Sequence, residues 1–76
     1  MLEEFRDQIV EALIKHFEAQ VEKHRLNIEN LLLKGVGVAE HPDIMETIEG
    51  ELAKMADNAD KLEMLKKYFK EEQWVY

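Results

Sequence analysis

Apolar side chains recur every three or four residues along two long stretches of the chain. In the first stretch the spacings are 4, 3, 4, 3, 4 and 3, with a histidine at one position, for Val10, Ile14, Phe17, Val21, His24, Ile28 and Leu31. This repeat predicts an amphipathic helix whose narrow seam is buried against another helix. The stretch contains no Gly or Pro between residues 2 and 34, so the helix is predicted over about 2–34. His24 lies within the seam, where we expect a hydrogen-bonded core or register residue.

The second stretch has the same repeat, interrupted once, at Lys66. Its spacings are 3, 4, 3, 4, 3 and 7, for Met45, Ile48, Leu52, Met55, Ala59, Leu62 and Phe69. Pro42 suits the first position of a helix, because its missing N–H has no partner there in any case. We therefore expect a loop over about 35–41 and a helix over about 42–70. Residues 57–60 have weak helix propensity and are where this helix would break, although the repeat continues through them.

Two helices of similar length joined by a short loop predict an antiparallel helical hairpin. The chain of 76 residues is too short for a second domain, so residues 1–76 form one domain with a short aromatic tail after the second helix. A hairpin leaves half of each seam in water, and the absence of cysteine excludes disulfides as a source of stability. The sequence thus predicts an all-α hairpin that dimerises into an antiparallel four-helix bundle.

The apolar surface is widest where the two termini of the hairpin meet. The first half of helix one carries extra apolar residues beside its seam, and the excess in helix two lies near its end. An antiparallel hairpin brings these regions together, which makes this open end the expected surface of self-association, as a homodimer or a higher homo-oligomer. The predicted interface residues are Leu2, Phe5, Ile9, Leu13, Phe17, Leu65, Tyr68, Phe69 and Trp74.

The formal net charge is −7, and residues 35–51 carry five acidic side chains and no basic one. Such a patch suits a basic protein surface as partner, whereas nucleic acid and anionic membranes need clustered Lys and Arg. No apolar run reaches the ~20 residues of a membrane helix, and the acidic N-terminus differs from a signal peptide, so a cytoplasmic location is expected. The acidic partner patch consists of Glu40, Asp43, Glu46, Glu49 and Glu51.

The residue types that carry most catalysis are missing. The chain has no serine, no cysteine and no Gly-rich phosphate loop, which disfavours nucleophilic and nucleotide-binding chemistry. His16 and His24 are two helical turns apart and His41 lies in the predicted loop, so the histidines lack the spacing of a metal site. We expect no cofactor, no metal and no catalytic residues.

One alternative rests on acidic pairs in the second helix. Glu46-x-x-Glu49 and Asp57-x-x-Asp60 resemble the magnesium-binding helices of all-α nucleotide pyrophosphatases, which hold Mg²⁺ against phosphates. This resemblance implies a magnesium-dependent enzyme that uses these four carboxylates. If the apolar repeat that begins at Met45 faces the core, however, these four carboxylates lie beside the seam or on the outer face of the helix. A solvated acidic face is then the simpler interpretation.

A second resemblance covers about half the chain. It is carried by Gly37-Val38-Ala39-Glu40-His41-Pro42-Asp43-Ile44-Met45 and by the stretch from Asp60-Lys61-Leu62-Glu63 to Tyr68-Phe69. These segments resemble the small helical proteins of tailed phages that infect marine cyanobacteria. The resemblance implies a phage origin and an accessory role in a host cytosol. It brings no catalytic residues with it.

Overall fold

A computed structural model of the protein describes residues 1–35 and 43–70. It contains two helices, α1 over Leu2–Gly35 and α2 over Asp43–Phe69, and no strand within these ranges. Both helices begin and end within two residues of the predicted bounds. Most of the predicted loop and all of the aromatic tail lie outside the described residues. The described chain is elongated, with principal extents of 57 × 20 × 13 Å.

The two helices pack against each other in antiparallel directions. At one end the guanidinium of Arg6 donates a hydrogen bond to the carbonyl of Phe69, at 3.2 Å. Toward the other end Nδ2 of Asn27 donates to Oε1 of Glu51, at 2.8 Å. The start of α1 therefore lies beside the end of α2, at what we call the open end. The hairpin predicted from the sequence is confirmed.

The seam predicted for α1 faces α2 along its whole length. All of its residues are buried or half-buried, and the deepest apolar side chain is Ile14, which is 4% exposed. His24 is 6% exposed and is the one buried polar residue among those described. The prediction that His24 is a hydrogen-bonded core residue is confirmed by its contact with α2.

Only part of the seam predicted for α2 is shielded from solvent. Ile48, Met55 and Leu62 are half-buried, as expected, but Met45 is 73% exposed and Leu52, Ala59 and Phe69 are exposed too. The positions one residue before Met45, Leu52 and Ala59 are half-buried instead. They are Ile44, Glu51 and Asn58.

The buried imidazole of His24 explains this shift of one residue. A buried polar group needs a hydrogen-bond partner. Glu51 is that partner for His24, whereas the aliphatic side chain of Leu52 could not form a hydrogen bond. With Glu51 facing α1, α2 is rotated about its axis relative to the predicted orientation. Its most apolar row of residues, which contains Leu52, therefore does not lie directly against α1.

The weak segment at residues 57–60 does not interrupt α2. Nδ2 of Asn58 donates to the carbonyl of Lys54, at 2.8 Å, and Lys61 forms an ion pair with Asp57, at 2.9 Å. Both contacts join residues four apart, which are neighbours on a helix surface. Side-chain contacts within the helix are thus present where the helix propensity is low, and α2 is continuous.

Gly50 lies in the interior of α2 and has no packing role. A Cβ atom built on it meets no atom within 4 Å, and its backbone is helical. Gly50→Ala should therefore raise the free energy of unfolding by about 1 kcal/mol, since alanine loses less backbone entropy in a helix. Thermal or urea unfolding followed by circular dichroism measures this change. The reverse substitution at exposed Ala53, Ala53→Gly, should lower stability by a similar amount, and a loss of stability in Gly50→Ala would contradict the expectation.

Candidate functional site

The open end of the hairpin contains an apolar groove of about 440 Å³. Arg6 is its one charged lining residue among those described. The lining residues are Leu2, Phe5, Arg6, Ile9, Val10, Leu13, Leu65 and Phe69. Six of these come from the first half of α1 and two from the last turns of α2. The groove therefore occupies the place where the sequence predicts the widest apolar surface.

The groove exists because α1 has more apolar surface here than one neighbouring helix can cover. Val10 faces α2 and is buried, whereas Leu2 is 86% exposed and Phe5 is 62% exposed. Ile9 and Leu13 lie between these extremes, at the edge of the contact. Apolar residues on a strip beside the seam remain in water unless another chain or segment covers them.

The structure brings together most of the predicted interface residues. Tyr68 contacts the ring of Phe69 edge-on, with centroids 6.5 Å apart, and is exposed. Phe17 is half-buried and does not line the groove, and Trp74 lies outside the described residues. The predicted residues that line the groove are Leu2, Phe5, Ile9, Leu13, Leu65 and Phe69.

Arg6 and Val10 line the groove but are not among the residues predicted for this surface. Val10 belongs to the seam and forms the floor between the two helices. Arg6 is one turn after Leu2 and three residues before Ile9, and this helical spacing is the signal that places it on the same strip. Its guanidinium lies 3.5 Å from Asp7 and donates to the carbonyl of Phe69, which gives a partner to a carbonyl at the end of α2.

A polar cluster joins the two helices farther from the open end. Nδ1 of His24 donates to Oε2 of Glu51, and Nδ2 of Asn27 donates to Oε1 of the same carboxylate. The hydrogen bond from His24 is the main cause that lowers the pKa of the Glu51 carboxyl below its usual value. Partial burial acts in the opposite direction, and the hydrogen bond from Asn27 lowers this pKa further. Because both carboxylate oxygens are bonded across the interface, the cluster fixes how the helices align.

Only part of the predicted acidic partner patch is on the surface. Asp43, Glu46 and Glu49 are exposed, but Glu51 is half-buried and bonded to α1. Glu40 lies outside the described residues. The patch available to a partner among the described residues is thus the first two turns of α2, without Glu51.

The four carboxylates of the magnesium alternative are all exposed. Asp57 forms an ion pair with Lys61, and it follows Glu49 by eight residues, which is about two helical turns. Within residues 1–35 and 43–70, no group of three His, Cys, Asp or Glu side chains is placed to hold a metal ion. His16 is exposed, and its ring contacts the ring of Phe17 edge-on. His41 lies outside the described residues. The arrangement in one chain gives no observation in favour of metal-dependent chemistry.

Neither α1 nor α2, the helices of the described ranges, is long and apolar enough to cross a membrane.

The chain matches no protein-family model, no curated protein and no solved structure. Its function must therefore be inferred from the chain's own residues, above all from the groove and from the charges around α2.

Proposed function

We propose that this protein acts through protein contacts, as a hairpin that pairs with a second copy of itself at the open end. The pair forms an antiparallel four-helix bundle in which the groove of each copy faces the other. The observation that carries this proposal is the groove itself, because it gathers six of the nine predicted interface residues into one apolar surface. A two-fold dimer uses the same patch on both copies, which such a surface permits.

The thin core of the single hairpin supports the same conclusion. Among the described residues, Val10 and Ile14 are the two apolar side chains that are buried. Fully burying a large apolar side chain contributes about 1.5–3 kcal/mol, which is small beside the entropy lost on ordering two helices. A second copy would cover the exposed strip of α1 and enlarge the core. Chains of this size commonly depend on such help.

The surface area of the chain is also large for its mass. It exposes 6119 Å², whereas a compact monomer of 9.0 kDa exposes about 4,900 Å². The difference of roughly 1,200 Å² exceeds the ~800 Å² that each partner buries in an ordinary stable interface. The chain as a whole therefore exposes enough extra surface for a contact of ordinary size with a second copy.

The other end of the bundle would present its charge outward. Asp43, Glu46 and Glu49 remain exposed in the hairpin and form the surface offered to a basic protein partner. In this proposal the dimer is an accessory factor in the cytoplasm of a phage-infected cell, the role that the resemblance to small cyanophage proteins implies. Clustered acidic charge also disfavours direct contact with nucleic acid.

The experiment that tests self-association is a mass measurement by sedimentation or light scattering. We expect the full chain to have at least twice the monomer mass, and Phe5→Asp to reduce it to that of one chain. Phe5 is 62% exposed in the hairpin, so aspartate there costs little in the monomer but places a charge in the dimer contact. Circular dichroism should show that Phe5→Asp keeps its helices.

Leu26→Asp is the matched control, because Leu26 is an exposed apolar residue of α1 that does not line the groove. This variant should keep the mass of the unaltered chain. A monomeric full chain, or a Phe5→Asp variant with unchanged mass, would refute the open-end interface.

A further inference from the structure

The groove lies beside the point where the chain leaves α2. Phe69 is the last residue of α2 and lines the groove. Arg6, on the facing helix, donates to the carbonyl of Phe69 and so holds the end of α2 against α1. Residues 71–76 come directly after Lys70, which means that they start at the rim of the groove.

We propose that Trp74 packs into the groove of its own chain. The segment 71–76 reads Glu-Glu-Gln-Trp-Val-Tyr, with three polar residues followed by three apolar or aromatic ones. Glu71 and Glu72 follow the end of α2, which Arg6 contacts, and their charge is opposite to that of Arg6. The apolar and aromatic residues come next in the sequence.

The length of the segment fits this path. Four residues span at most about 14 Å when extended, which is the reach of Trp74 from Lys70. Along α1, the groove extends from Leu2 to Leu13, which is about 17 Å at the rise of a helix. Trp74 can therefore reach the part of the groove formed by Leu2 and Phe5 without unwinding α2.

The chemistry of the groove fits an indole ring. Its volume of about 440 Å³ can take a large aromatic side chain, and its open side lets the indole N–H stay in water. A tethered side chain also has an effective concentration in the millimolar range, which favours the chain's own Trp74 over an unlinked apolar ligand. With Trp74 in place, the ring becomes part of the open-end surface, so this packing does not compete with the proposed dimer. It also does not require the dimer.

The single tryptophan of the chain makes this proposal directly measurable. Fluorescence of the full chain should show emission at a shorter wavelength, and several-fold weaker quenching by acrylamide, than a free peptide of residues 70–76. Phe5→Asp should move both values close to those of the peptide, because it removes part of the groove wall. Leu26→Asp should leave them unchanged, and circular dichroism should show both variants to be helical.

Dilution separates the alternatives. Burial of Trp74 that stays constant from the dimeric to the monomeric concentration range, as followed by sedimentation, supports packing in its own chain. Burial that appears only with the dimer would assign Trp74 to the groove of the second copy and overturn the proposal. Emission of the full chain equal to that of the peptide would overturn it as well. If the chain is monomeric at every concentration, the proposed dimer fails, while Trp74 can still be shown to be buried.

Discussion

Ile14→Ala should lower the free energy of unfolding by about 2–4 kcal/mol, since it removes the most buried apolar side chain of the hairpin and leaves a cavity. The core is small, because Val10 is the only other buried apolar residue among those described. A small helical domain has a total stability of only a few kcal/mol, so this variant should be largely unfolded near its working temperature. Urea unfolding followed by circular dichroism measures the change.

The control for Ile14→Ala is Leu33→Ala, on the same helix. Leu33 is 75% exposed, so its truncation removes little buried surface and should change stability by about 0.5 kcal/mol or less. Equal effects of the two substitutions would show that the α1 seam is not the core of the hairpin.

His24→Ala should cost about 2–3 kcal/mol. The substitution opens a cavity at a buried position and removes the donor of one of the two cross-helix hydrogen bonds of Glu51. The carboxylate of Glu51 would then remain half-buried with only Asn27 to bond it. Unfolding measured near neutral pH, where Glu51 is ionised, gives the size of the effect.

His16→Ala is the matched control, because His16 is an exposed histidine on the same helix whose ring lies against that of Phe17. Its cost should be well below that of His24→Ala. A double variant, His24→Leu with Glu51→Met, should recover most of the lost stability, since an apolar pair avoids the desolvation of buried polar groups. If His24→Ala proves no more costly than His16→Ala, the polar cluster does not stabilise the hairpin.

The sequence predicts the helices and the seam of α1 well for a simple physical reason. Burial of an apolar row on a long helix depends mainly on the spacing of residues along that helix, which is visible in the sequence. Gly35 and Pro42 mark the connection between the helices equally clearly. The spacing also predicts the extra apolar strip that contains Phe5, and the structure places this strip in the groove.

The orientation of α2 could not be predicted in the same way. Two rows of this helix, one with Leu52 and one with Glu51, have the same spacing and differ by one residue. Hydrophobicity favours the row with Leu52, but the choice is made by His24 on the other helix, whose buried imidazole requires a hydrogen-bond partner. Because this requirement acts between helices, it becomes visible only when they are placed together. For this reason the sequence alone assigns Glu51 to the acidic surface, whereas the structure turns it toward α1.

The most direct test of the open-end dimer is an inter-chain distance. The chain has no cysteine, so Gln8→Cys can be labelled with a nitroxide at one position, on an exposed residue of α1 at the level of the groove. Pulsed electron paramagnetic resonance should give a distance between two copies of no more than about 30 Å, roughly three helix diameters. This distance should disappear when Phe5→Asp is added. A sample with the mass of a dimer but without a short distance at residue 8 would show that the hairpins join through another surface.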